Sequence, residues 1–393
     1  MARDTIEKAF RKEGSTPQSL YIDAGAAFRI VGELRKRNTR RILIVSSFNL
    51  LKRTNIAELI KFYEEQDFKV HVFQRSNSYA NSADINDGLA MFKEFICDTV
   101  IGIGDRQDID VAKMIAVTAT NPDEPEKFAG FGKIKNNIKT LVAVMTDCTA
   151  AVSSPDSDFI SRDTGSWNTV LSNHIVPHIA VIDPDLMLRS SADNIAISAL
   201  TALGIAVEAY TSPLSINYPE YMANSMIAVT KIINNLDKLI ADPTDAYLHM
   251  VVGTGGFYAG LATQKAGFGY AYIIRHKFME FFDCEYGTGL GKILPRVLTA
   301  RLDSCTASLA ELSRQNHFCT QSLDDLSAAQ FFIEALENLY SKHLSKQVMP
   351  VIDQETAEKI AVSTAREIAS FGFPQDIDTG KLSNIIYGIG GRG

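Results

Sequence analysis

The chain has 393 residues, 46% of them hydrophobic and 22% charged, with a formal net charge of −7. That length suits two packed domains, and the composition is that of an ordinary globular protein. The acidic balance offers no electrostatic footing for nucleic acid or an anionic membrane.

No uninterrupted apolar run reaches the roughly 18 residues of a spanning helix. The start, MARDTIEKAF, is charged rather than signal-like. The five cysteines are odd in number and show no C-x-x-C spacing, so they read as reduced thiols of a cytoplasmic protein. No internal repeat or low-complexity segment is visible.

Short apolar runs rich in β-branched residues predict strands at Arg41 to Ser46, Lys69 to Phe73, Thr99 to Ile103, Thr140 to Met145 and Ile179 to Ile182. Between the first three lie helical patterns, Asn55–Gln66 and Asp84–Phe95, with apolar residues at three- and four-residue spacing. Strands alternating with helices imply a doubly wound parallel sheet with a ligand crevice at the strands' carboxyl ends. Cys148 follows the fourth run, beside Asp147, which raises its pKa; a small buried hydrophobe is the expected role rather than a nucleophile. His174 and His178 stand four apart, but Pro177 breaks any helix between them, so both read as loop residues. After Asp183 the β signals stop and long helical patterns follow. The chain therefore divides into an α/β unit, residues 1–183, and an all-helical unit, residues 184–393.

Ala266 to Val297 places Tyr272 and His276 one helical turn apart, with Tyr286 and Gly287 ahead of Ile293-Leu294-Pro295. The layout resembles the iron-containing (group III) alcohol dehydrogenases, whose signature runs A-G-L-G-x-x-H-x-x-x-H, then P-H-G, then L-L-L-P-H-V. Ala266, Gly267, Gly269, His276, Gly287, Leu294, Pro295 and Val297 match it. Ala199–Ser212 resembles the family's T-G-x-D-A-L-x-H-A-I-E-A-Y-x-S through Ala202, Leu203, Ala206, Glu208, Ala209, Tyr210 and Ser212. Asn173–Leu188 resembles its V-P-D-V-A-I-V-D-P-E-L-T-L. The resemblance implies a Rossmann-like α/β domain followed by an all-α domain, a dehydroquinate synthase-like architecture.

It also implies four metal ligands, and this chain has Thr201, Ile205, Tyr272 and Tyr286 in their places. Isoleucine has no lone pair, and a neutral threonine hydroxyl is a poor ligand for iron or zinc. No metal is expected there. Asp283, Cys284 and Glu285, beside Tyr286, are the alternative donors, read more simply as a solvated turn. His276 is the retained family position, which lies near the nicotinamide and substrate.

The family's cofactor loop, I-x-I-G-G-G-S-x-x-D-x-A-K, falls on Ile101–Lys113. Gly104, Asp110, Ala112 and Lys113 match; Asp105, Arg106 and Gln107 replace Gly-Gly-Ser. A carboxylate at Asp105 repels a pyrophosphate, and Arg106 offsets it if it points inward. Alternatively the loop is an ordinary strand-to-helix turn with solvated charges. Ser47 stands where the family often has an Asp for the adenosine ribose, with Lys52 and Arg53 nearby to meet a 2′-phosphate or simply solvent. Thr146 and Thr149 fall in the family's T-T-A-G-T-G-S-E loop. NAD or NADP is the cofactor implied.

The function implied is an NAD(P)-linked alcohol dehydrogenase or aldehyde reductase that works without a metal, as a homodimer, on a small alcohol or aldehyde. Tyr272, His276 and Tyr286 are its expected catalytic residues, donating a proton to the developing alkoxide. The alternative is a catalytically inactive protein that keeps the fold and works by binding. Lyase or cyclase chemistry of the dehydroquinate synthase kind is a third reading, although that group also relies on a metal.

Overall fold

The computed structural model describes residues 17–390 apart from Arg189, Asp283, Glu285, Tyr286, Thr288, Lys346, Gln347 and Gln375. The first domain carries strands β1 (Ser19–Ile22), β2 (Arg41–Ser47), β3 (Lys69–Arg75), β4 (Thr99–Gly104), β5 (Gly130–Phe131), β6 (Thr140–Met145), β7 (Asp156–Ile160), β8 (Trp167–Leu171) and β9 (Ile179–Ile182). Its longer helices are α1 (Thr54–Glu65), α2 (Ser82–Glu94) and α3 (Arg106–Thr118). Six strands form one sheet in the order β1-β9-β6-β4-β2-β3, and every pairing in it is parallel. Burial explains the sequence of β2 and β4: Ile42 to Val45 and Thr99 to Gly104 are covered on both faces, which favours continuous β-branched runs over alternation.

From β2 the chain moves outward to β3, then returns to lay β4 on the other side of β2. The strand order thus reverses between β2 and β4, whose carboxyl ends carry Ser47 and Gly104. Two such ends with their connections diverging leave an open crevice.

A second sheet, β5-β8-β7, was not expected from the sequence. Its strands are short, and DSDFI and WNTVL lack the apolar runs that mark the main sheet. Of these, β7 packs on α3, all of whose residues are buried.

Helices fill the remainder: α4 (Ala192–Tyr210), α5 (Pro219–Ile233), α6 (Ala246–Ala266), α7 (Tyr270–Phe282), α8 (Leu290–Ala300), α9 (Leu302–Gln315), α10 (Asp325–Leu344), α11 (Gln354–Ser370) and α12 (Thr379–Ile389). By length and composition α4 is apolar enough to cross a membrane, which the reading of the bare sequence missed. But 78% of its apolar window is buried inside the protein, as befits a core helix. Its start is set by Ser191, whose hydroxyl accepts from Asn194 N.

The two domains meet where α6 lies against the loop after β6. A Cβ on Gly260 would collide with the Ala150 carbonyl oxygen and the Ser153 hydroxyl, so only a glycine lets the helix come this close. The approach is sealed by hydrogen bonds from Ser153 Oγ to Phe257 O (2.6 Å) and from Gln264 Nε2 to Ser153 O (2.9 Å). Gly260→Ala is expected to lower stability by about 1–3 kcal/mol through overpacking, read as a fall in the urea midpoint with an unchanged slope.

Candidate active site

The crevice at the ends of β2 and β4 is a cavity of about 580 Å³, closed on its far side by α4. Asn194, Ile197, Ser198, Thr201, Ala202 and Ile205 line it, a single face of α4 at three- and four-residue spacing. Ser47, Asp105, Arg106, Gln107, Thr146 and Thr149, all expected cofactor residues, line the opposite wall. Gly104 sits at the turn into α3 with φ 156°, and a Cβ there would strike the Asp108 carboxylate. Asp110 does not reach the cavity; it is buried, 3.0 Å from Arg106 Nε.

Asp105 is more than a repelling charge. Its Oδ1 accepts from Gln107 N (2.8 Å) and Asp108 N (3.2 Å), capping α3. Those N–H groups are the donors an incoming phosphate would use, so a carboxylate of the chain already stands on the anion position. Arg106 does not offset it in the way expected. Its guanidinium turns toward β7, meeting Asp158 Oδ2 at 2.9 Å and Asp156 Oδ2, with Asp110 on its other edge. Three buried carboxylates outcompete one at the cavity mouth.

Two further carboxyls crowd Asp105. Asp108 is fully buried, with Oδ1 on Arg75 Nε at 2.9 Å; burial and then Asp105 raise its pKa to about 8. Asp147, half-buried on the cavity wall, is raised well above the usual carboxylate range by burial, then by Asp105 and Asp108.

Tyr272 and His276 lie behind the cavity rather than in it. The Tyr272 hydroxyl donates toward Asp158 Oδ2 (2.6 Å) and Asp156 Oδ2 (2.8 Å), and burial pushes its pKa far up. His276 is fully buried, its ring 4.9 Å from that of Trp167. Its Nε2 is 3.2 Å from Asp158 and 2.8 Å from Arg275 Nη2. The first distance suits an ion pair, but burial and then the cations Arg275, Arg106 and Lys277 drive the pKa well below 6.5. The imidazole is therefore neutral, with Nε2 accepting from Arg275. The expectation of a protonated His276 near neutrality used its ordinary pKa, and burial reverses it.

Helix α7, which carries both residues, is held at its start by Glu208. That carboxylate accepts from Ala271 N (2.7 Å) and Tyr272 N (3.0 Å), and burial lifts its pKa to about 7. Sequence reasoning used Glu208 only to fix an alignment. It also passed over Asp156 and Asp158, although their spacing of two on a strand places them on one face.

Of the four metal-ligand positions, Thr201 and Ile205 face the cavity, and the Thr201 hydroxyl donates to Ile197 O at 2.7 Å. Tyr272 is bound as described; Tyr286 lies outside the described residues, as do Asp283 and Glu285. Among the described residues no group of three or more His, Cys, Asp or Glu side chains is arranged to hold a metal ion. These donors do not fit the family's metal. Cys148 is buried with Sγ 3.0 Å from Val252 O, its pKa pushed up by burial and Asp147, so the thiol is inert. His178 is a loop residue whose Nδ1 accepts from Leu141 N at 3.1 Å.

The model for "iron-containing alcohol dehydrogenase" matches residues 17–184, and that for the "Fe-containing alcohol dehydrogenase family, C-terminal" region matches residues 195–388. The chain belongs to the iron-containing alcohol dehydrogenase family. Among its relatives, the NAD-dependent methanol dehydrogenase of Bacillus methanolicus is 24% identical over 378 residues, 94% of this chain and 97% of that one. The 1,3-propanediol dehydrogenase of Klebsiella pneumoniae is 26% identical over 320 residues, 80% of this chain and 81% of that one. In fold the chain is similar to a 1,3-propanediol oxidoreductase crystal structure, with a TM-score of 0.89 at 21% identity over 96% of this chain and 99% of that one. The sulfoacetaldehyde reductase of Bifidobacterium kashiwanohense in complex with NAD+ gives 0.79 at 16% identity, over 96% and 98% of the two chains. The family and these relatives mark the chain as an alcohol dehydrogenase-type oxidoreductase.

Because the Tyr272 hydroxyl satisfies buried carboxylates, Tyr272→Phe is expected to cost about 1–3 kcal/mol of stability. Arg106→Met, which leaves carboxylates uncompensated, should cost about 3–5 kcal/mol. Chemical denaturation of both single variants and the double variant checks this, and the double should fall short of the sum because the residues share partners.

Proposed function

We propose that the chain is a nicotinamide dinucleotide-linked oxidoreductase of a small alcohol or aldehyde that works without a resident iron or zinc ion. The observation that carries it is the cavity at the β2–β4 reversal, lined by Thr201 and Ile205 at positions that match the family's metal ligands. A bound dinucleotide supplies or accepts the hydride. The chain's own residues do the rest. Ser47 stands at the ribose end, and the hydroxyls of Thr146 and Thr149 line the wall toward α4. Lys52 and Arg53 flank the ribose end, Lys52 Nζ lying 3.6 Å over the Phe48 ring and Arg53 on the cavity wall. Two cations and no acidic residue at Ser47 favour NADP over NAD. A cytoplasmic homodimer completes the proposal.

Asp105 sets the affinity. Its carboxylate must leave Gln107 N and Asp108 N before a pyrophosphate takes them, so the dinucleotide binds weakly. Asp105→Gly is expected to tighten NADPH binding at least tenfold in a fluorescence titration, by removing a like charge and freeing two donors. Absence of binding before and after the change would overturn the reading in favour of a protein that keeps the fold only to bind something else.

The metal is tested separately. With Ile205 and an engaged Thr201 and Tyr272, elemental analysis of the purified protein should find no stoichiometric iron or zinc, and activity should survive chelator. One metal per chain would defeat the metal-free mechanism.

A further inference from the structure

A reduction without a Lewis acid needs a proton donor in the cavity itself, and Tyr272 and His276 stand behind it with their polar groups engaged. The geometry points to Asp147 as that donor, the residue that protonates the substrate oxygen during reduction and takes the proton back during oxidation. The inference rests on the oxidoreductase reading above.

Three observations place Asp147 for the task. It lines the same cavity as Thr201 and Ile205. The next residue anchors it to α4: Cys148 N donates to Ser198 Oγ at 3.2 Å, one turn before Thr201 and Ala202. The loop that carries Asp147 is thereby fixed against the cavity face of α4. One carboxyl oxygen is engaged by Thr149 N, while Oδ1 is buried with no hydrogen-bond partner among the described residues. A native structure seldom leaves a buried carboxyl oxygen idle unless a proton or a ligand completes it.

The titratable groups that face Asp147 are Asp105, which caps α3, and Asp108 in its first turn, with Arg75 on β3 already committed to Asp108. Burial, then Asp105 and Asp108, raise the Asp147 pKa well above the usual carboxylate range, which favours the neutral acid form that a proton donor requires. A neutral Asp147 also adds no charge against an anionic dinucleotide.

The step balances simply. Hydride from the reduced nicotinamide forms the new C–H bond, and the carbonyl π pair moves to oxygen. That oxygen takes the Asp147 proton, leaving an alcohol, the oxidised dinucleotide and an Asp147 carboxylate that water reprotonates.

The test uses the full-length protein and an aliphatic aldehyde with NADPH. Asp147→Asn should lower kcat for reduction by on the order of 10²-fold, with NADPH affinity by fluorescence titration unchanged or improved. In the wild type, reduction should fall as pH rises through the Asp147 pKa, because the acid form is the donor, and this limb should vanish in the variant. Asp147→Glu should recover part of the rate. A wild-type minus Asp147→Asn infrared difference spectrum at neutral pH should show the carbonyl stretch of a protonated carboxylic acid. NADPH binding with unchanged turnover in Asp147→Asn, or absence of that band, overturns the assignment of Asp147 alone. A wild type that binds no dinucleotide overturns the oxidoreductase reading, and this inference with it.

Discussion

The guanidinium of Arg106 is the constraint on which the rest of the site depends. It joins the first turn of α3 to β7 through Asp156 and Asp158, and the same two carboxylates receive the Tyr272 hydroxyl from α7. Two domains are thus tied at one buried point. Asp110 and Lys113 repeat the pattern along the same face of α3, with Lys113 Nζ on Ser154 O (3.0 Å) and Asp156 O (2.6 Å). Buried charges are expensive to desolvate, and they persist here because nearly every one has a partner. The cost is offset by position: the network dictates where α3 begins, and so where Asp105 places its carboxylate.

Much of this was legible in the residues themselves. The β2, β4 and β6 strands read clearly because a sheet covered on both faces must be apolar at every position. The cavity face of α4 was not read from the sequence: Asn194, Ser198 and Thr201 recur at helical spacing in an otherwise apolar helix, but only Thr201 stood out, through its match to a family ligand position. The small β5-β8-β7 sheet was hidden, because its strands carry Asp156 and Asp158 where a core strand would carry aliphatics. Their partner is Arg106, fifty residues earlier, and no local pattern connects the two.

Titration behaviour was the least legible. From sequence, His276 is a neutral-range acid; burial and neighbouring cations push its pKa well below the usual value, while burial and neighbouring carboxyls push that of Asp147 well above its own. Glu208 shows the same effect in a structural setting. It caps α7 with two backbone N–H groups and still has its pKa lifted to about 7, so desolvation outweighs both hydrogen bonds. Which term wins depends on how much water remains near a group, and a list of residues does not contain that quantity.

The Arg106 network also fixes the charges beside Tyr272, a residue that stands at one of the positions matching the family's metal ligands. The guanidinium carbon sits 5.6 Å from the centre of the Tyr272 ring. A dication placed beside that ring would meet the guanidinium together with Asp110, Asp156 and Asp158, the three carboxylates that already compensate it. Removing Arg106 would strand Asp156, Asp158 and Asp110 without their counterion. The place of Tyr272 is therefore tied to that of Arg106, and a substitution at either is felt in both domains.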